Sequence, residues 1–311
     1  MDVHRGVAGG LRGTLQRILR EKRWTYVLLA GDHAMAGVAV VQAGWFGGAF
    51  LWALDRVTGA LLVDRSAAAL PGLGAAVRRR PLDGARATFR GPGLRLRVDR
   101  VPGGWRIDAA SGRAFRLEAL LHLRGAPAPF TLIAPTDGGG FRATTKVAAL
   151  RAAGRIEAGG RVFSLEGSGG LDTTIGVLAR RTEWRWAFGT GRLASGAPVA
   201  FNLAEGFGGV PAGDPGENAL FLGPGPGRLP AVTFRRDPAA PLAPWRIASA
   251  DGALDLVFRG RALHREARSL GVLRTSFVQV AGEFSGMLPV PGGAVRLDAL
   301  PGVVEDHRAV W

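Results

Sequence analysis

At 311 residues, nearly half of them apolar, the chain is long enough for two ordinary domains with their own cores. It has no cysteine, which excludes disulfides, thiolate nucleophiles and cysteine-ligated zinc or iron–sulfur sites. The net charge of +15 would suit nucleic acid or an anionic membrane. However, the arginines are spread from Arg5 to Arg308, and only Lys22 and Lys146 are lysines. A solvated surface in a GC-rich coding background accounts for that pattern, and no nucleic-acid partner is expected.

Taken in chain order, Leu11–Arg20 places Leu11, Leu15, Ile18 and Leu19 at helical spacing, which predicts one short amphipathic helix. It would be a cap on a barrel or a weak membrane-surface contact. No apolar signal-peptide segment precedes it, and a soluble, cytoplasmic protein is expected. Ala34–Leu54 is a run of 21 uncharged residues, long enough to span a bilayer. Its glycines and the central Gln42 favour two apolar strands joined by a turn at Gly44–Gly48. A second short helix is expected near Ser66–Val77. Leu94–Val98 alternates leucine and valine with arginine, the period of a half-buried antiparallel strand. Trp105–Asp108, Ala114–Leu123, Arg155–Glu157 and Val162–Leu165 follow as strands.

Gly167-Ser168-Gly169-Gly170 reads as a break between two strand-rich blocks, which predicts domains at 1–168 and 169–311. In the second block Thr182–Phe188, Val199–Leu203, Ala219–Leu222, Val232–Arg235, Leu254–Phe258, Val272–Glu283, Val295–Leu300 and Val303–Trp311 read as strands. Turn signals recur about every ten residues, as in barrels and sandwiches. The fold class expected is all-β: antiparallel barrels or half-barrels in two domains, with one or two short helices. No phosphate-loop or G-x-S-x-G motif occurs. No H-x-x-x-H pair occurs either, so no metal and no cofactor are expected. Glu305-Asp306-His307 is the only local acid–histidine cluster, and in a strand Glu305 and His307 share a face.

An ordered set of short motifs runs through most of the chain. It comprises Lys22-Arg23-Trp24-Thr25-Tyr26, Arg80-Pro81-Leu82, Thr145-Lys146, Leu171-Asp172-Thr173-Thr174-Ile175-Gly176, Thr182–Ala187 with Trp184 and Trp186, Phe201–Gly206, Glu217–Leu220, Gly271–Arg274, Gly282–Gly286 and Glu305–Trp311. In order and spacing the set resembles the domain-of-unknown-function 2804 family. More distantly, Leu171–Trp186 is similar to the carotenoid 1,2-hydratase, AttH and tocopherol cyclase group. That resemblance implies two lipocalin-like domains and a large hydrophobic ligand. Asp172 matches the acid of the group's Leu-Asp-His segment, but Thr173 stands where the histidine belongs.

Protonation of an alkene by a buried carboxylic acid is the chemistry such residues suit. Asp172 is the candidate catalytic acid, with Trp184 and Trp186 lining a pocket and stabilising a cation. Asn202, Glu217, Asn218, Lys146 and Trp24 are candidate ligand contacts. Asp172 also reads as a turn cap, and the tryptophans as plain core. Three functions stay open: a binder of an isoprenoid-, lipid- or polyketide-like molecule in a barrel or between domains, a cofactor-independent hydratase or cyclase, and a peripheral membrane protein using the N-terminal helix.

Overall fold

The computed structural model describes residues 20–44, 46–70, 73–136, 140–207, 213–270 and 273–310. All the helix or strand elements among them are strands, and all the pairings are antiparallel. The chain forms two compact units. One is the described part of Met1–Ala126 and Thr131–Ala179; the other is that of Pro127–Phe130 and Arg180–Trp311.

The first sheet contains β1 (Glu21–Gly31), β2 (Ala34–Ala43), β3 (Phe46–Asp55), β4 (Leu61–Ala69), β5 (Ala75–Val77), β6 (Arg86–Gly91), β7 (Leu94–Val101), β8 (Gly104–Ser111), β9 (Phe115–His122), β10 (Phe130–Pro135), β11 (Phe141–Ala158), β12 (Arg161–Ser164) and β13 (Gly167–Val177). Eleven of them run in the order β4-β3-β2-β1-β13-β11-β9-β8-β7-β6-β5, with β10 and β12 attached to β11. The sheet curls until β5 lies back against β1 and β2. Arg23 Nη1 donates to the Val77 carbonyl at 2.7 Å, and the Val77 N–H to Gln42 Oε1 at 3.2 Å. The result is a nearly closed barrel. Strand alternation fills its interior. In β7, Leu94, Leu96 and Val98 point in, while Arg95 and Arg97 point out. Val27, Leu29, Val38, Leu51, Ile107, Leu117, Leu150 and Ile156 are all 0% exposed and pack together as the barrel's core.

The second sheet contains β14 (Arg181–Arg192), β15 (Pro198–Glu205), β16 (Ala219–Phe221), β17 (Pro226–Arg228), β18 (Val232–Arg235), β19 (Trp245–Ser249), β20 (Asp255–Leu270), β21 (Leu273–Val290) and β22 (Gly293–Val310). Its order is β17-β16-β15-β14-β22-β21-β20-β19-β18. Its own core gathers Phe201, Leu203, Trp245, Phe258, Val280, Phe284 and Val304.

Several sequence expectations need correction. Ser66–Val77 is not a helix. Its residues end β4 and form β5, because Ala67 and Ala69 pair with Ala49 and Gly47 of β3 and pack on the core; pairing overrides the helix propensity of an alanine run. Gly167–Gly170 is not a linker but the start of β13, held between β1 and β11. A Cβ on Gly167 would lie 2.2 Å from the Ala30 carbonyl, and one on Gly169 2.6 Å from that of Leu28. These glycines permit close backbone approach, so residues 169–177 belong to the first sheet and the units divide after Ala179. The uncharged run Ala34–Leu54 lies in β2 and β3, with Gly47 and Gly48 inside β3 rather than in the turn. Val295–Leu300 and the residues after Pro301 form one strand, β22. Leu11–Leu19 of the predicted N-terminal helix lies outside the described residues. Among the described residues no helix is long and apolar enough to cross a membrane.

Candidate functional site

Each sheet buries an apolar core on one face and carries a second set of buried groups on the other. In the first unit Val27, Leu171 and Val147 point into the barrel. Their sequence neighbours therefore point away from it. Register aligns three rows across β1, β13 and β11: Tyr26–Asp172–Lys146, Trp24–Thr174–Thr144 and Lys22–Gly176–Arg142. Lys146 and Arg142 are 1% exposed, Lys22 3% and Asp172 9%. Lys146 Nζ donates to Asp172 Oδ2 at 2.5 Å, and Thr144 Oγ1 donates to Oδ1 at 3.3 Å. Thr174 Oγ1 donates to Thr144 Oγ1 at 2.8 Å. The Tyr26 ring lies 6.1 Å from that of Phe50, and Trp24, on the same face, is half-buried. Burial, and then repulsion from Arg20, lower the Lys22 amine to about 8.

A bulge fixes Lys146 in this array. The β11–β13 register shifts between Val147 and Leu150, where Ala149 takes a left-handed φ of 57°. That conformation costs an alanine about 1–2 kcal/mol. The extra residue lets both Val147 and Leu150 enter the core. Under strict alternation Leu150 would share the face of Lys146.

In the second unit Ala187, Leu203, Val280 and Val304 point into the core. The opposite face aligns Trp186–Glu305–Gln279–His264 and Trp184–His307–Phe277–Glu266 across β14, β22, β21 and β20. Trp184 Nε1 donates to Glu305 Oε1 at 2.7 Å and Gln279 Nε2 to Glu305 Oε2 at 3.1 Å. Trp186 Nε1 donates to Asn202 Oδ1 at 2.7 Å, and Asn202 Nδ2 to the Glu217 carbonyl at 3.0 Å. The His307 ring meets Trp184 edge-on at 4.1 Å, and its Nε2 lies 3.0 Å from Thr275 Oγ1. Burial pushes the His307 imidazole down to about 4, against the opposing pull of Glu266 and Asp306. It is therefore neutral at pH 7. Asp306 points to the other face, where Arg236 and Arg185 bind it.

The residues singled out from sequence thus fall into two groups. Asp172, Lys146 and Trp24 share a face of the first unit, with Asp172 and Lys146 in contact. Trp184, Trp186 and Asn202 share a face of the second. Asp172 belongs to one unit, and Trp184 and Trp186 to the other. Leu171-Asp172-Thr173-Thr174 lies in mid-strand, not in a turn. Asn218 braces backbone: its Oδ1 accepts from the Ala204 N–H and its Nδ2 donates to the Pro230 carbonyl. Sequence reasoning missed Arg142 and Thr144, although Arg142-x-Thr144-x-Lys146 has the period of one strand face. It also missed Gln279 and His264, which no local pattern marks. Among the described residues no group of three or more histidine and carboxylate side chains is placed to hold a metal ion.

Compared with known proteins, the chain matches over residues 5–311 a family model described as domain of unknown function (DUF2804). No curated protein matches it significantly in sequence. Among solved structures, it is similar to CghA with Sch210972, at 11% identity over 92% of this chain and 87% of that one, with a TM-score of 0.56. It is similar to kievitone hydratase from Nectria haematococca, at 9% identity over 98% and 93%, with a TM-score of 0.54. A putative AttH from Nitrosomonas europaea aligns at 13% identity over 93% and 92%, with a TM-score of 0.45. At these identities the likeness to CghA and the hydratase is one of fold.

Proposed function

The chain belongs to the DUF2804 family, and we propose that it binds a lipophilic small molecule, isoprenoid-, lipid- or polyketide-like, on the aromatic and polar sheet faces rather than inside the barrel. The observation that carries this is the buried Lys146–Asp172 pair, with its threonine hydroxyls, on a face that also holds Trp24 and Tyr26. A buried ion pair is weak evidence for stability, since apolar replacements are often neutral or stabilising. A few polar groups set among aromatic side chains are what orient a mostly apolar ligand. The apolar side chains that fill the barrel interior support a site on the opposite face. The fold shared with CghA, whose structure holds Sch210972, is consistent with a small-molecule ligand. Native mass spectrometry of the purified protein, followed by solvent extraction, tests this. An apolar adduct is expected; protein that is bare in every preparation contradicts it.

A second function, cofactor-independent hydration or cyclisation, is favoured by His307, a neutral imidazole next to Glu305 and Trp184. A neutral imidazole accepts a proton, and an indole face stabilises a cation by on the order of 2 kcal/mol when desolvated. An ammonium in contact keeps a carboxylate ionised. In this scheme, then, the paired Asp172 orients the substrate rather than delivering the proton. An Asp172→Asn protein that binds ligand but no longer converts it is the expected result. Unchanged turnover would remove the pair from the chemistry.

A further inference from the structure

All but two of the forty basic residues are arginine. Both exceptions, Lys22 and Lys146, are buried on the same face of the first sheet, on the two strands that flank β13. Lys146 has an evident task as the partner of Asp172. Lys22 lies directly across Gly176 from Arg142, which is buried on that same face. The face therefore accepts a buried arginine where positive charge is enough. A guanidinium does not deprotonate in proteins, whereas a buried amine readily does.

We propose that Lys22 is the proton-accepting amine of this face, meeting the ligand at the end opposite the Lys146–Asp172 pair. Four residues of β13 separate the two rows, about 14 Å along the strand at about 3.4 Å per residue. The inference rests on the ligand-binding role proposed above and adds a requirement: the ligand presents a carbonyl or an acidic proton at that end. In its neutral form the amine takes one proton from the ligand or from water and becomes an ammonium, which returns the proton to solvent. Burial disfavours the ammonium and Arg20 repels it; Arg142 lies on the same face across Gly176. Glu21 and Arg23 flank Lys22 in sequence but alternate to the other side, where Glu21 is bound by Arg79.

With only two lysines, selective 13Cε-lysine labelling gives two side-chain signals, and Lys22→Arg assigns them. The Lys22 signal should titrate with a midpoint near 8; a midpoint above 10 overturns the proposal. The second measurement uses citral, an isoprenoid aldehyde, with cyanoborohydride. Amine and aldehyde condense to an imine with loss of water, and hydride reduces the imine to a secondary amine that peptide mapping locates. At pH 8 Lys22 should be modified at least tenfold faster than Lys146. Lys22 left unmodified while the N-terminal amine reacts would overturn the proposal. The co-purifying molecule separates this from failure of the binding role. If wild-type protein holds an adduct but Lys22 fails both tests, only the amine is refuted; if it holds none, the ligand itself is. The aldehyde labelling is located by peptide mapping of wild-type protein, so it stands even if Lys22→Arg does not fold.

Discussion

The two units solve one design problem with different chemistry. Each places an apolar core on one sheet face and buried polar groups on the other. In the first unit those groups are charged: Lys22, Arg142 and the Lys146–Asp172 pair. In the second, indole and amide N–H groups do most of the work, donating to Asn202 and to the Glu305 carboxylate, beside a neutral His307. Charges are costly to bury and hold only as a paired set, whereas indole donors add their polar handle to a large apolar surface. The first face should therefore fail abruptly when one partner is removed, and the second by smaller steps.

The largest expected effect is Asp172→Leu. It leaves the Lys146 ammonium buried without its carboxylate and should cost about 3–5 kcal/mol, read from urea unfolding. The double variant Asp172→Leu with Lys146→Met should recover to within about 1 kcal/mol of wild type. A double variant as unstable as the single would show that the pair itself holds the fold.

Acid is the corresponding test of the second face. Unfolded His307 takes up its proton near its ordinary value of 6.5, but the folded protein resists until about 4. The stability this confers is present above pH 6.5 and is lost as pH falls from 6.5 towards 4, at most on the order of 3 kcal/mol. His307→Gln should flatten that part of the stability–pH curve; an unchanged slope would assign it to other groups.

Smaller effects follow from the indoles. Trp184→Phe removes a donor to a carboxylate and should cost about 1.5–3 kcal/mol, whereas Trp186→Phe removes one to a neutral amide and should cost about 1 kcal/mol. Equal losses would erase the distinction between the two donors. Arg246→Ala breaks an exposed pair with Asp255 and should leave the urea unfolding midpoint unchanged within error; a clear drop would mean that surface pairs rank with buried ones.

Much of this was legible from alternation and turns. β7 reads directly as Leu-Arg-Leu-Arg-Val, and β18 has the bounds its sequence suggests. β13 was not legible, because its glycines, needed where Ala30 and Leu28 approach closely, look like a linker. The start of β11 was missed as well, and with it the Arg142–Thr144–Lys146 face. The candidate residues were visible by type: an acid, two tryptophans and a rare lysine. Their partners were not, because partnership depends on register. The bulge at Ala149, which sets the β11 register next to Lys146, leaves no mark in an alanine-rich sequence. For the same reason Asp172 looked like a free acid, when it is half of an ion pair.

The most direct test of the central claim compares ligand occupancy by native mass spectrometry in wild type, in the Asp172→Leu/Lys146→Met double variant and in His307→Gln. If the sheet faces hold the ligand, wild type carries a lipophilic adduct, and the double variant, though folded, loses most of it. An adduct retained at full occupancy by both variants would place the ligand elsewhere and contradict the account.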